Sequence, residues 1–373
     1  MLSGALKKLV GQTAIYGLPS IVGRFLNYLL VPLHTAVLSN PTDYGVITVM
    51  YAYVSLFVVL LGYGMETCYF RNSQDKNESS VFSTILLMLA STSGLFLLFS
   101  FGFSGSIASA IGYASHSEYI KIFAAILVLD TLSSFAMTRL RQHEKAIQFA
   151  SINMAAILVN IALNLLFLLW LRPYSINHPE WEFAQYFNTT EKLVLCIFIA
   201  NLVQAAFRFL FAFVFSLRFR LSKVDFNLIP SYFKYGFFIM VIGLFGIVNE
   251  TADRIFLKEI LGKKLGESAA DYQIGIYGAV YKLSILISLF IQAFRFAAEP
   301  FFFKTAGDKN KRKQLATVLH YFLSFSLIVA LLIALNIDLF KYFIQSDKYY
   351  EGLDIVPVLL LANVFLGLGV NLS

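Results

Sequence analysis

Residues 247–303 read IVNETADRIFLKEILGKKLGESAADYQIGIYGAVYKLSILISLFIQAFRFAAEPFFF. Two long apolar runs in this stretch carry the charged side chains of Glu250, Asp253, Arg254 and Lys282. A charged side chain at the depth of a bilayer faces protein or a water-filled cavity rather than lipid tails. The stretch therefore predicts two membrane-spanning helices with polar faces turned towards the interior of a helical bundle.

The composition of the whole chain supports this interpretation. Hydrophobic residues make up 58% and charged residues 14% of the 373 amino acids, and the mean hydropathy is +0.71. Soluble domains contain about 45–50% apolar and about 25% charged residues. The apolar runs reach the roughly 20 residues that a membrane-spanning helix needs, whereas barrel strands alternate over about ten. The prediction is an all-α polytopic membrane protein.

We expect ten spans, and the Lys and Arg residues between them predict their direction. The runs cover about 9–38, 44–66, 81–103, 118–138, 147–171, 192–216, 231–257, 273–297, 314–336 and 353–373, by the length that a span needs. Lys and Arg concentrate in the connections that lie on the same side of the membrane as the N-terminus. This distribution predicts a cytoplasmic N-terminus. The last run ends the chain without a flanking charge, so we expect further spans to follow it.

Several function classes find no support in the sequence. The net charge of +7 fits basic cytoplasmic loops, so nucleic acid is not an expected partner. Cys68, Cys196 and the scattered histidines lack metal-ligand spacing, and no P-loop glycine pattern occurs. We therefore expect no metal, no cofactor and no ATP hydrolysis by this chain.

Charged side chains inside the spans are the candidate functional groups, and each also has a structural interpretation. Asp253 and Arg254 could form an internal ion pair, and Glu66 lies near a span end, where it could reach the headgroups. Stripes of Asn, Ser and Gln often bind helices to one another. Arg24 and Lys282 have no acidic residue within four positions on their own helices. Two such cations facing one cavity would bind an anion, for example a diphosphate.

Four segments carry a family resemblance: GQTAIYGLPSIVGRFLNYLLVPLHTAVLSNPTDYGVITVMYAYV from Gly11, YGMETCYFR ending at Arg71, TADRIFL from Thr251 and YGAVYKLSILISLFIQAFRFAAEPFFFKTA from Tyr277. With these segments the chain resembles the polysaccharide flippases of the multidrug/oligosaccharidyl-lipid/polysaccharide exporter superfamily. The resemblance implies two pseudo-symmetric six-helix lobes around a central cavity, with twelve or more helices. The lobes would be residues 1–225 with spans one to six, and residues 226–373 with spans seven to ten, which implies missing C-terminal spans.

The resemblance also implies a mechanism and a site. By alternating access, such a protein moves an oligosaccharide linked to undecaprenyl diphosphate from the cytoplasmic to the outer leaflet of the bacterial inner membrane. The expected substrate-binding residues are Arg24, Asn27, Arg254 and Lys282. The expected residues for coupling to H⁺ or Na⁺, between which the sequence does not choose, are Glu66, Glu250 and Asp253. Membrane lipids, a polysaccharide polymerase and glycosyltransferases are the expected partners.

Two alternatives stay open from the sequence. A membrane polymerase or glycosyltransferase of the same pathway would form new glycosidic bonds, although the longest predicted outer connection, 172–191, is short for a catalytic loop. A cation-coupled multidrug exporter would share the aromatic content of 16%. The several predicted cavity cations fit an anionic substrate better than a cationic drug.

Overall fold

The computed structural model describes residues 21–74, 77–305 and 311–372, and these residues are almost entirely helical. In chain order the α-helices are α1 Ile21–Val37, α2 Pro41–Gly62, α3 Met65–Asn72, α4 Glu78–Gly102, α5 Ser104–Ala110, α6 Ser117–Gln142, α7 Ala146–Leu165, α8 Arg172–Asn177, α9 Thr190–Ser216, α10 Ile229–Leu265, α11 Glu267–Thr305, α12 Lys311–Leu335, α13 Ile337–Phe340 and α14 Val356–Leu372. A π-helix, Leu166–Leu171, continues α7. Short 3₁₀ turns cover Ala184–Tyr186, Phe226–Leu228, Lys341–Phe343 and Asp347–Ile355.

The described part of the chain contains nine helical segments that are long and apolar enough to cross a membrane, and the shorter apolar helix α1. A helix such as α6, with 26 residues, is about 39 Å long at 1.5 Å per residue, which exceeds the hydrocarbon thickness of about 30 Å. The predicted all-α polytopic fold is confirmed. The start of the predicted first span lies outside the described residues.

Contacts between Cα atoms group the chain into two compact units. The large unit is Val46–Asp271, and the split unit joins Met1–Gly45 with Tyr272–Ser373. The lobe boundary at residue 225 and the cytoplasmic N-terminus stay predictions.

The core of the large unit is formed where α6 packs against α4 and α9. Phe82 of α4 stacks on Phe135 of α6 at a centroid distance of 4.9 Å, and Tyr69 of α3 meets the Phe135 ring edge-on at 5.6 Å. All three rings are buried. Such aromatic pairs add roughly 0.5–1.5 kcal/mol each beyond the burial of their area.

A sharp bend between α2 and α3 lets α3 enter this core. Tyr63 and Gly64 both have positive φ, 25° and 72°, and a side chain at Gly64 would place its Cβ 2.7 Å from the Gly236 carbonyl oxygen of α10. Only glycine combines that backbone conformation with so close an approach at little cost. The bend turns α3 so that Glu66 and Tyr69 point into the unit.

The split unit is built around the C-terminal part of α11. Leu283 and Ile287 are buried on one face of this helix. On α14, the Asn363 amide donates to Ser284 Oγ over 3.0 Å, and Ser288 Oγ donates to Asn363 Oδ1 over 2.6 Å. Each hydrogen bond of this kind between membrane helices contributes about 0.6 kcal/mol to stability. The polar residues Ser284 and Ser288 of α11 therefore have a helix-packing role.

Candidate functional site

A partly open cavity of about 160 Å³ lies inside the large unit, among α2, α3, α4, α6 and α9. Its apolar wall includes Val58, Leu89 and Phe135. Its polar wall consists of Glu66, Asp130, Thr131, Ser134 and Arg208. We call these five polar residues, together with the neighbouring Arg141, the cavity cluster.

Asp130 and Arg208 are the ionic pair nearest the middle of the cavity helices. Asp130 lies near the centre of α6 and Arg208 in the second half of α9, and Arg208 Nη1 is 3.6 Å from Asp130 Oδ1. This distance is longer than the 2.7–2.9 Å, approximately, of a well-formed charge-assisted hydrogen bond. The pair is therefore held loosely, with room for a third group.

The same wall contains buried polar atoms that have no protein partner. Arg208 Nε and Thr131 Oγ1 are both buried and make no hydrogen bond to the described residues. An unsatisfied buried donor costs about 1–3 kcal/mol. A polar cavity of this size satisfies such donors with water or with a bound ligand.

Glu66 enters the cluster from the first turn of α3. Ser134 Oγ donates a hydrogen bond to Glu66 Oε1 over 2.5 Å, and Arg141 Nη1 lies 3.8 Å from Glu66 Oε2. Ser134 is one helical turn beyond Asp130, so both acids border one strip of α6. When all groups are ionised, the two carboxylates and two guanidinium groups balance to no net charge.

A second charged group in the large unit joins the ends of α4 and α6. Arg139 is fully buried, with Nε 3.0 Å from Glu78 Oε1 and Nη2 3.2 Å from Glu78 Oε2. Arg139 Nη2 also donates to the Arg220 carbonyl over 2.7 Å, and Tyr69 donates to Glu78 over 2.5 Å. We call Glu78, Arg139 and Tyr69 the arginine clasp. Its bidentate geometry is that of a structural ion pair.

A third charged group surrounds Lys258, which is 4% exposed. Its ammonium is 2.8 Å from Asp271 Oδ1 and 2.7 Å from Glu267 Oε2, and the Tyr113 hydroxyl donates to Asp271 over 2.8 Å. Burial, reinforced by the nearby Asp271 carboxylate, raises the pKa of Tyr113 well above its ordinary value. Every member has a close partner, so this group fastens the loop before α6 to the turn between α10 and α11.

Of the seven residues predicted from sequence, the cavity contains Glu66 alone. Arg24 and Asn27 are exposed on α1, and Lys282 is half-buried on α11; all three belong to the split unit. Their roles, like those of the other predicted site residues, stay predictions.

The remaining three predicted residues lie on α10. Arg254 Nη1 donates to the Glu250 backbone carbonyl over 2.8 Å and to Asp253 Oδ1 over 3.2 Å. The ion pair between Asp253 and Arg254 that the sequence suggested is present, with Arg254 Nη1 3.2 Å from Asp253 Oδ1. Glu250 itself is exposed.

Asp130 is the cavity residue that the sequence interpretation missed. A lone acid within the apolar run VLDTLSSFA was the available signal, because charged residues in spans mark functional positions. Arg208 shares one polar face with Asn201 and Gln204 at spacings of three and four positions, but this spacing does not reveal its partner. Among the described residues, no group of three or more His, Cys, Asp or Glu could hold a metal ion.

Comparison with known proteins gives one family. No curated protein and no solved structure matches the chain significantly. A family model described as polysaccharide biosynthesis protein matches residues 9–306. This match covers most of the chain and agrees with the resemblance to polysaccharide flippases. The chain therefore belongs to the polysaccharide biosynthesis protein family.

Proposed function

We propose that this membrane protein is a flippase. It moves an oligosaccharide linked to undecaprenyl diphosphate from the cytoplasmic to the outer leaflet by alternating access. The single observation that supports this best is the cavity cluster, a group of acids and arginines around an open volume within membrane-spanning helices. Family membership adds the pathway, since the family is described by polysaccharide biosynthesis.

The chemistry of the transported molecule determines what its path through the membrane must provide. A glycan and its diphosphate are strongly hydrated, so their passage through hydrocarbon requires a polar path inside the protein. A loosely paired arginine can exchange its carboxylate for a phosphate oxygen, provided that a proton or a cation then compensates the released carboxylate. The Arg208–Asp130 separation of 3.6 Å and the unpaired Nε of Arg208 are compatible with such an exchange.

In this proposal the substrate-binding residues are Arg24, Asn27, Arg254 and Lys282. The cations neutralise the diphosphate, and the Asn27 amide donates to it or to the sugar. Arg254 binds Asp253 and the Glu250 carbonyl through Nη1 in this structure, so the substrate would either join or replace these contacts.

Glu66, Glu250 and Asp253 are the proposed coupling residues, with H⁺ or Na⁺ as the ion. A carboxylate that changes partner between two conformations binds a cation differently in each, which links the ion gradient to the transport cycle. Glu66 has the most suitable surroundings, since its partners, the Ser134 hydroxyl and Arg141, come from α6, a helix other than its own.

We place the protein in the bacterial inner membrane, where it supplies surface polysaccharide such as lipopolysaccharide O-antigen. Its working partners are a polysaccharide polymerase and glycosyltransferases.

Translocation in vesicles tests the proposal. The purified full chain is reconstituted with a fluorescent undecaprenyl-diphosphate oligosaccharide, and an impermeant lectin reports the glycan on each side. We expect protein-dependent translocation that is lost in Arg24→Gln and Lys282→Gln and retained in Lys263→Gln, a change at an exposed lysine. New glycosidic bonds without translocation would identify an enzyme instead, and translocation unchanged in both Arg24→Gln and Lys282→Gln would contradict the proposed substrate site.

A further inference from the structure

The connection between the fifth and sixth spans of the predicted order is rich in aromatic side chains. We call residues 170–187 the aromatic loop; its aromatic members are Trp170, Tyr174, Trp181, Phe183, Tyr186 and Phe187. Four of them are strongly exposed: Trp170 76%, Phe183 52%, Tyr174 49% and Tyr186 48%. So many exposed rings in a short connection call for a partner that covers them.

The aromatic loop is folded, so the exposed rings are held in place by the structure. Trp181 stacks on the buried Phe187 at 5.8 Å with an interplanar angle of 6°, and Tyr174 meets the Trp181 indole edge-on at 5.4 Å. At the base of the loop the Ser175 hydroxyl donates to the Asn188 side-chain oxygen over 2.7 Å. The outward rings therefore form a fixed surface.

This surface continues a lipid-facing one. Leu166, Leu169 and Trp170 of the π-helix are exposed and belong to the membrane-spanning segment Ala146–Asn177, and Tyr174 follows Trp170 by four positions on the same segment. Phe99 and Phe103 are also exposed, at the end of α4. Because α4 and α7 are the third and fifth spans, they run in the same direction and end at the same membrane surface.

The polar groups of the aromatic loop suit the edge of a bilayer rather than its centre. Glu180 and Glu182 are exposed beside Trp181, and hydrogen bonds from its own backbone amide and from His178 lower the pKa of Glu180. Charged carboxylates stay in water, whereas Trp and Tyr rings prefer the headgroup level, where one end is apolar and the other wet.

The geometry points to the aromatic loop as an interfacial anchor. It lies on the headgroup–acyl boundary of the leaflet at this end of α7, with its rings among the lipids and its acids towards water. The partner is the bilayer surface itself. This inference is independent of what the protein transports.

Tryptophan fluorescence tests it, because the chain has only 2 tryptophans. Trp181→Phe leaves Trp170 as a lipid-facing reference. Trp170→Phe, Trp181→Phe and Phe183→Trp combined leave one indole at an exposed position of the loop. Both full-length proteins are reconstituted in phosphatidylcholine vesicles brominated near the glycerol end of one acyl chain. Aqueous iodide is added in a parallel experiment with unbrominated lipid.

We expect the indole at position 183 to lose a fraction of its emission to brominated lipid comparable to that lost by Trp170, and to resist iodide. Quenching by iodide alone would place the loop in water and overturn the inference. Resistance to both quenchers would show that protein, such as a second copy of the chain, covers the loop, and this result would also overturn it. Circular dichroism of the two variants confirms that each is folded.

Discussion

The large unit contains two arginine–carboxylate sites that differ in how completely they are satisfied. In the arginine clasp, Arg139 is fully buried and binds Glu78 at 3.0 and 3.2 Å. Its remaining nitrogen, Nη1, makes no hydrogen bond to the described residues, but the guanidinium lies 4.2 Å from the centre of the Phe82 ring. In the cavity cluster, Arg208 is 3.6 Å from Asp130 and borders an open volume.

The difference separates a structural pair from a candidate functional one. A tight bidentate pair has little capacity for another ligand, and removing one of its partners leaves an uncompensated charge. A loose pair beside a cavity costs stability, and membrane proteins retain such costly groups where they act on ions or substrates. We therefore expect mutations in the clasp to affect folding and mutations in the cavity to affect transport.

Removing one partner of the clasp should have the largest effect. Arg139→Gln leaves the partly exposed Glu78 without the guanidinium that binds both of its oxygens, which should lower the free energy of unfolding by about 3 kcal/mol, the lower end of the range for buried pairs. Thermal unfolding of the purified protein in detergent measures the change. Arg139→Gln combined with Glu78→Gln should recover a large share of the loss, because no lone charge remains. If Arg139→Gln were as stable as the original protein, the clasp would not be a structural ion pair.

The bend before α3 supports both arginine–carboxylate sites, so a mutation in it should have the second-largest effect on stability. Gly64→Ala places a Cβ 2.7 Å from the Gly236 carbonyl at a positive φ, and such strain costs about 1–3 kcal/mol. The matched control is Gly94→Ala within α4, where a Cβ meets nothing within 4 Å; it should leave stability equal or slightly higher. Equal unfolding temperatures for Gly64→Ala and the control would contradict the role of the bend.

Neutralising the cavity arginine should cost transport more than stability. Arg208→Gln should slow glycan translocation roughly tenfold or more, which corresponds to about 1.4 kcal/mol of lost transition-state stabilisation. Arg208→Lys keeps the charge, and its translocation rate should lie between those of Arg208→Gln and the original protein. Rates are compared at equal amounts of folded protein in the vesicles. A folding defect as large as that of Arg139→Gln would show instead that the two arginine sites are alike.

An exposed ion pair provides the smallest effect and the baseline. Lys263 pairs with Glu259 one helical turn away, and both side chains are largely exposed. Lys263→Gln should change the free energy of unfolding by about 0.5 kcal/mol or less and leave translocation unaltered, because exposed pairs of this type contribute little. A larger change in the free energy of unfolding or in translocation would mean that both depend on the charge of the protein irrespective of where the charge lies.

The sequence predicts the fold well because the bilayer restricts it so strongly. Apolar runs of span length can satisfy their backbone only as helices, and the ten runs correspond to the nine long helical segments and α1 of the described residues. Glu66, near the end of a predicted span, and Arg208, within one, were also visible as charges in apolar surroundings.

The partners of these charges were not predictable, because they depend on which helices pack together. Asp130 meets Arg208 across 78 positions of sequence only because α6 packs along α9, and no periodicity within one helix reports that contact. The Asp253–Arg254 ion pair, by contrast, joins neighbours in the sequence, and it was predictable for that reason.

The most direct test of the central claim is glycan translocation by the doubly neutral cavity variant Asp130→Asn with Arg208→Gln. If the pair serves only structure, removing both charges leaves none unpaired, and translocation should return towards the level of the original protein. Our account predicts that translocation stays as low as in Arg208→Gln alone, with the double variant folded and reconstituted normally. Recovery of translocation in the double variant would contradict it.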